Sequence, residues 1–457
     1  MQIKHLKILF FFLFLGFISC TQAPKQDANA YRLGGIGAFS ELVNAGVKQI
    51  ALSEPLSSAE MAQFLPEAKK VADRHGVSIY QESDLLITDL FPADVAKEKE
   101  VLLLFQGNTL DAYLQLKEDK KQLVATNQYE GAARAAISRR FGRLLSYTPR
   151  GINNLLAKQT DFRTMRDFGI EASNVFLYYK DLDSATRFYQ ETLGLELVAD
   201  YQMATIFRVA TQSYLILVDA SKGMHTAEEP KTVALALLTD QLDEWWTYLN
   251  EQKVPVKYSY KPKEGGAHDG FVMVDPEGYL LEFERFKQHP ENEAFIPVLN
   301  TAETLLPSHE TSKVPEGLGF KSTITWLYYK DMLAMQDFYQ EVLGLDLVAD
   351  QGWTKIYQVS ETGFIGLVDE RRGMHQFTED KAVTVSFFLK DVKGWFDYIE
   401  AKQTFELRTG KFEAGPEDKY NAFVGYDPEG YFLEFDRFLA HPDNERLLEC
   451  INGEKIE

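Results

Sequence analysis

Asp275-Pro276-Glu277-Gly278-Tyr279, with Leu281-Glu282-Phe283 just behind it, returns as Asp427-Pro428-Glu429-Gly430-Tyr431 with Leu433-Glu434-Phe435. Upstream, Leu177-Tyr178-Tyr179-Lys180-Asp181 returns as Leu327-Tyr328-Tyr329-Lys330-Asp331, and Phe188-Tyr189-Gln190-Glu191 as Phe338-Tyr339-Gln340-Glu341. The offset drifts only from 150 to 152 residues, so one unit is carried twice. A solenoid needs at least three neighbouring repeats to bury a continuous core, so each copy is expected to fold as its own domain. The copies span residues 172–296 and 322–448, and residues 301–316, with Pro307 and Pro315, read as the linker.

Within one copy the apolar pattern predicts a strand over 174–180, a helix over 182–193 and three strands reaching Val218. A loop holding Gly223 then leads to a strand over 232–238, a helix over 242–252 and three strands ending near Phe286. Each copy is therefore β-α-β-β-β twice. Asp275-Pro276-Glu277-Gly278 suits a tight turn, because proline presets the second position and glycine tolerates positive φ; the last two strands then form a hairpin.

Residues 31–161 repeat nothing later in the chain. Short apolar runs at 49–52, 77–80 and 101–105 suit buried strands, and 57–75 and 132–145 have helical spacing, giving a separate α/β domain. Thr148 and Pro149 suit the cap and first turn of a further helix. The arginines at 134, 139, 140 and 143 read as a solvated helix face, with a cluster that meets an anion or a partner as the alternative. A net charge of −20 over 457 residues repels phosphate backbones and argues against nucleic acid as a partner.

The first twenty residues read as targeting. Lys4 and Lys7 precede an apolar run from 8 to 18, then Ser19 and Cys20, and the run is too short to span a bilayer comfortably. This resembles a bacterial lipoprotein signal peptide. The resemblance implies cleavage before Cys20, lipidation of Cys20, a membrane partner through that anchor, and a cell-envelope address facing the periplasm or exterior. Residues 21–30 would be the tether. Cys450 is then the one other cysteine, so no disulfide framework forms within the mature chain.

The order of the repeated elements resembles the vicinal oxygen chelate superfamily, the fold of glyoxalase I, bleomycin-resistance proteins and extradiol dioxygenases. It implies an α+β architecture of two tandem domains, each of paired βαβββ modules forming a half-open, cup-shaped sheet. It also implies a divalent metal held by His or Glu on the first and last strands of the modules. Carried over position by position, that set falls on Asn174, near Ile216, Thr232 and Glu282 in one copy, and on Ile324, near Gly366, Val383 and Glu434 in the other. Only the two glutamates are usual donors, and one carboxylate is a poor transition-metal site.

Glu282 alternates with Leu280 and Glu284 along one strand face, as Glu434 does with Phe432 and Asp436, so each is expected to face a partly apolar cup, either as a general acid or base or as a structural glutamate bonded to Asn174 or a neighbouring backbone group. Gly223-Met224-His225 and Gly373-Met374-His375 recur as rim loops. His225 and His375 are candidate proton carriers, and an atypical metal site is conceivable from Glu282, His225 and Asp219, or from Glu434, His375 and Asp369. A packed histidine in a glycine turn is the alternative. Phe176, Tyr178 and Asn174, and Trp326 and Tyr328, are candidate ligand-binding residues. Three functions stay open: an exported protein binding a small organic molecule without metal, a metal-dependent lyase, isomerase or dioxygenase of glyoxalase type, and an envelope scaffold with filled cups.

Overall fold

The computed structural model describes residues 28–307 and 312–453. The signal peptide expected over 1–20, with Cys20, and residues 21–27 of the expected tether lie outside the described residues. Residues 28–30 of the expected tether open a helix instead, α1 (Ala28–Asn44), which buries Ile36, Ser40 and Val43. No helix among the described residues is long and apolar enough to cross a membrane.

The chain divides into two compact units. The first holds residues 28–87, 93–119 and 144–146 of those described. Its antiparallel sheet runs in the order β1-β3-β2, with β1 (Ile50–Leu52), β2 (Ser78–Glu82) and β3 (Val101–Phe105). Helix α2 (Ser58–Arg74) starts on a capping box, where the Ser57 hydroxyl accepts from the Glu60 N–H and Glu60 accepts from the Ser57 N–H. Its Met61, Phe64 and Ala68 share one core with Leu102 and Leu104 of β3. Helix α3 (Thr109–Ala125) follows, and its Tyr113 hydroxyl donates to Glu82 at 2.9 Å.

The boundary expected at 161 falls earlier, because 120–143 and everything from 147 belong to the second unit. Three arginines of α4 (Gly131–Leu144) are paired with acids there, while Arg140 is exposed. Arg139 pairs with Glu341 at 3.2 Å, Arg143 with Asp337 at 2.8 Å and Arg134 with Asp89 at 2.5 Å. Helix α5 (Pro149–Gln159), capped by Thr148 as expected, sends Asn153 Nδ2 to the Gln340 carbonyl at 3.1 Å.

Four modules follow. The first is β4 (Ile170–Tyr179), α6 (Leu182–Arg187) running into a π turn (Phe188–Thr192), β5 (Glu196–Asp200), β6 (Ala204–Ala210) and β7 (Ser213–Asp219). The second is β8 (Val233–Leu238), α7 (Leu242–Glu251), β9 (Val256–Tyr258), β10 (His268–Val274) and β11 (Leu280–Phe286), followed by the short α8 (Phe295–Leu299). The third repeats the first with β12 (Ser322–Tyr329), α9 (Met332–Asp337), β13 (Asp346–Asp350), β14 (Thr354–Gln358) and β15 (Gly363–Asp369). The fourth is β16 (Val383–Leu389), α10 (Val392–Lys402), β17 (Glu413–Ala414), β18 (Tyr420–Tyr426) and β19 (Phe432–Phe438), followed by α11 (Glu445–Asn452).

These modules make two eight-stranded sheets, as the α+β reading expects, but not within each copy. One sheet runs β17-β18-β19-β16-β4-β7-β6-β5 and the other β13-β14-β15-β12-β8-β11-β10-β9. The first module therefore pairs with the fourth, through β4 and β16, and the second with the third, through β8 and β12. The expectation that 172–296 and 322–448 are self-contained domains is corrected. The physical reason is that the two copies offer equivalent strand edges, so the apolar pattern fixes faces and register without choosing between them.

The recurring motifs weld this exchange. Asp275 accepts from the Tyr179 hydroxyl at 2.6 Å, the Tyr189 hydroxyl at 3.1 Å and the N–H groups of Glu277 and Tyr279 at 3.0 and 2.8 Å. Asp427 stands in the same relation to Tyr329, Glu429 and Tyr431. Tyr279 then crosses to the other sheet, its hydroxyl accepting from the Tyr178 N–H at 2.8 Å and donating to the Ala382 carbonyl at 2.7 Å. Tyr431 does the same at Tyr328 and Thr232. Gly278 sits at φ +101°, where only glycine is unstrained. The convex faces and helices of both sheets share one core, built around Trp245, Trp395, Phe283 and Phe435.

Candidate functional site

Each sheet curls into a cup whose floor is read directly from the strand register. In the cup of β4–β7 with β16–β19, one row reads Glu434, Ser386, Asn174, Tyr214. In the cup of β8–β11 with β12–β15, the equivalent row reads Glu282, Ala236, Ile324, Phe364. Side chains on neighbouring strands of a row point to the same face, so the first floor is polar and the second largely apolar. The next row differs as well. Phe176 lies beside Ile216 in the first cup, whereas Trp326 lies beside Gly366 in the second, where a Cβ would meet the indole at 1.9 Å. The glycine makes room for the tryptophan.

Short helices stop one end of each cup. Phe295 of α8 packs on Phe286 and Phe364, both at 4.9 Å between ring centres, and Leu447 and Cys450 of α11 join the apolar lining of the first cup. At the other end are the Gly-Met-His loops. A Cβ at Gly223 would come within 2.6 Å of the Tyr178 ring, and one at Gly373 within 2.5 Å of Tyr328, so these glycines permit the close approach. His225 then packs on Tyr178 and Phe432 at 4.9 and 4.3 Å, and His375 on Tyr328 at 5.0 Å.

This distribution corrects the pairing expected from sequence proximity. Glu282 shares its cup with Trp326, Tyr328 and the loop of His375, while Glu434 shares its cup with Asn174, Phe176, Tyr178 and His225. Asp219 and Asp369 do not join either cup. Asp219 accepts from the Ser221 hydroxyl and N–H and pairs with Lys222, and Asp369 is bridged by Arg371, so both close turns. His225 Nδ1 is held 2.6 Å from Glu229, leaving a buried Nε2 that makes no hydrogen bond; His375 Nε2 is in the same position. Burial pushes both imidazoles below their usual range, toward the neutral form.

The side chains that the sequence reading passed over are the second acids. Glu284 and Asp436 stand two residues beyond Glu282 and Glu434, on the same face, and each interacts electrostatically with its partner carboxyl. Burial drives all four upward, Glu282 and Asp436 to about 7, so each pair retains a proton near neutrality. In the first cup the Ser386 hydroxyl donates to Asp436 at 2.5 Å. In the second, Glu284 is only 2% exposed, and the Trp326 indole N–H lies close enough to lower its carboxyl, although neither Glu284 Oε2 nor Trp326 Nε1 reaches full hydrogen-bond geometry. Asn174, 3% exposed, leaves both side-chain polar atoms unpartnered beside Glu434 Oε2 and the Tyr214 hydroxyl, also without partners. Buried polar groups are normally satisfied, so these atoms mark places where the fold is incomplete without a small molecule or water.

The acid pairs set a pH dependence. Between about 4.5 and about 7 the unfolded chain has released protons that the folded pair keeps, so stability falls as pH rises across that window. Below it both states are protonated and the pair contributes nothing. Glu284→Gln is therefore expected to raise stability by about 2 kcal/mol at pH 8 and to change it little at pH 4. Urea midpoints at the two pH values check this, and a destabilised variant at pH 8 would refute it.

Residues 172–283 match the family model described as the Glyoxalase/Bleomycin resistance protein/Dioxygenase superfamily, and this segment of the chain belongs to that superfamily. Among solved structures, the chain is similar to glyoxalase I from Zea mays, with 15% identity over 63% of this chain and 97% of that one and a TM-score of 0.43. It is also similar to lactoylglutathione lyase from Agrobacterium tumefaciens, with 25% identity over 24% of this chain and 90% of that one and a TM-score of 0.22. A glyoxalase/bleomycin resistance protein/dioxygenase from Nocardioides matches at 20% identity over 25% and 83%, with a TM-score of 0.23. No curated protein matches the sequence.

The donor atoms present do not fit a divalent metal of the kind the resemblance implies. The floors contribute one amide and one acid pair in the first cup and one acid pair in the second, with no imidazole among them. Among the described residues, the group of three possible ligands close enough to share an ion is Glu417, His441 and Asp443. It lies at the ends of β18 and β19, and the Lys419 ammonium already bridges Glu417 at 3.0 Å and Asp443 at 2.7 Å. The metal sets from Glu282, His225 and Asp219, and from Glu434, His375 and Asp369, are each divided between different places in the fold.

Proposed function

We propose that the chain is a metal-independent binding protein for small organic molecules, with the cup of β8–β15 as its ligand site. The observation that carries this reading is the pair of buried, unpartnered atoms Glu284 Oε2 and Trp326 Nε1 on a cavity of about 110 Å³. Trp326, Tyr328, Trp353 and Phe286 supply its apolar wall, Glu282 and Glu284 its polar end, and His268 and Arg372 its mouth. The volume equals roughly four water molecules at ~30 Å³ each, well below the ~300 Å³ of pockets for drug-sized ligands. A ligand of a few non-hydrogen atoms follows.

Screening the intact chain by nuclear magnetic resonance against polar fragments of three to six heavy atoms tests the proposal. Binding is expected to perturb the Trp326 and Trp353 indole signals and to be lost in Glu284→Gln and Trp326→Phe. Stoichiometric iron, zinc or manganese surviving dialysis against a chelator would overturn the metal-independent reading, and absence of any fragment binding would overturn the site. The same acid pair favours a second reading, proton transfer on the bound molecule, because a carboxyl titrating near 7 is matched to general acid–base work at neutral pH. Turnover of a bound fragment, detected as solvent deuterium incorporation and lost in Glu282→Gln, distinguishes that reading from binding alone.

A further inference from the structure

The cavity of the β8–β15 cup has one chemical bias that the other cup lacks. Its interior holds two carboxyl groups and no fixed positive charge, and its walls are the faces and edges of Trp326, Tyr328 and Trp353. Trp326 is 6% exposed and Glu284 2%, so neither is a surface acid or a surface ring. In the β4–β7 cup the equivalent second acid, Asp436, is already met by the Ser386 hydroxyl, and Asn174 and Tyr214 add neutral polar groups. In the β8–β15 cup the positions beside Glu282 are Ala236 and Ile324, which offer a carboxylate nothing. The anionic form of this pair has no internal counter-charge.

The mouth shows what the wall accepts. The Arg372 guanidinium sits 5.1 Å from the centre of the Trp353 ring, a cation on an aromatic face at the entrance to the cavity. His268 Nε2 stands 3.9 Å from Glu284 Oε1, but burial disfavours its charged form. Tyr328 from β12 faces both carboxyls and Tyr258 of β9, and Lys257 of β9 acts on His375 in the loop after β15. An anionic ligand would face two acids, and a neutral apolar one would leave Glu284 Oε2 without a partner. A cation with small alkyl substituents answers both the carboxyls and the rings.

We propose that this cup is a site for a small organic cation, an alkylammonium group enclosed by Trp326, Tyr328 and Trp353 with its charge on the Glu282–Glu284 pair. The proposal rests on the binding function above and names its ligand class. Seating the cation drives the retained proton off the pair, so binding releases about one proton and is favoured by rising pH.

The intact chain is titrated with trimethylammonium and with tert-butanol, its neutral analogue of similar size, at pH 6 and pH 8. Tryptophan fluorescence follows binding, and heats in two buffers of different ionisation enthalpy count protons. Trimethylammonium is expected to bind about a hundredfold more tightly at pH 8 than at pH 6, because loss of one proton on binding gives about tenfold per pH unit. It should release close to one proton, and bind at least about tenfold more tightly than tert-butanol at pH 8. Glu284→Gln should lose the cation at both pH values while remaining folded by circular dichroism, and Trp353→Leu should weaken the cation more than the alcohol. Equal or tighter binding of tert-butanol, or cation binding without proton release, overturns the cation assignment and leaves the binding function standing. Binding of neither probe overturns the assignment, and the fragment screen then decides separately whether the cup binds anything.

Discussion

A polypeptide of residues 164–302 alone is expected to form a dimer and to have no stable folded monomer. This first copy contains β4 to β11, but β4 finds its central partner in β16 and β8 finds its own in β12, both from the second copy. Alone, the copy exposes both central strand edges and the hydroxyl of Tyr279, which reaches the Ala382 carbonyl in the intact chain. Two such polypeptides can satisfy each other by the pairing that the two copies use within one chain, because the edges are equivalent. Light scattering should report twice the single-chain mass, and unfolding should depend on protein concentration. A compact, concentration-independent monomer would show that each copy closes on itself and that the exchange is not required.

Asp275→Ala is expected to cost about 4 kcal/mol. The substitution removes the acceptor of the Tyr179 and Tyr189 hydroxyls, which keep only each other at 3.0 Å, and of the N–H groups of Glu277 and Tyr279. Asp275→Asn keeps an acceptor oxygen and should cost roughly half as much. The equivalent Asp427 has its carboxyl pushed to about 6 by burial, so stability there falls as pH rises from its ordinary range toward 6, and Asp427→Asn should flatten that slope. Urea unfolding monitored by near-ultraviolet circular dichroism checks both positions. A loss below about 1 kcal/mol for Asp275→Ala would mean that the network is hydrated in the folded state.

These two expectations come from the same recurring residues, which the sequence marks without explaining. Asp-Pro-Glu-Gly-Tyr is legible as a turn, and its glycine is needed at φ +101°. Its aspartate and tyrosine were not legible as a buried network, since their partners lie about 100 residues away: Tyr178, Tyr179 and Ala382. Arg139 and Arg143 of α4 are similar. Their helix was evident from spacing, but Glu341 and Asp337, which turn them from solvated charges into docking groups, are remote in sequence.

The candidate site divides along the same line. Glu282 and Glu434 face the cups, and their neighbours Glu284 and Asp436 were on the page as residues of the same strand face. That burial raises both acids of each strand could not be read from alternation, because it depends on the depth of burial. Which histidine loop meets which glutamate was inverted by the exchange of modules: His375 belongs with Glu282, and His225 with Glu434.

Local pattern by itself determined the elements, their order, the face each strand turns inward and the superfamily of residues 172–283. Those properties follow from periods of two and three to four residues and from turn chemistry, which act within a few positions along the chain. Tertiary structure alone decided the partner of each module, the polar floor of one cup and the apolar floor of the other, and the uncompensated acid pair beside Trp326. Each of these depends on juxtaposing residues from both copies, and equivalent edges leave that choice to packing.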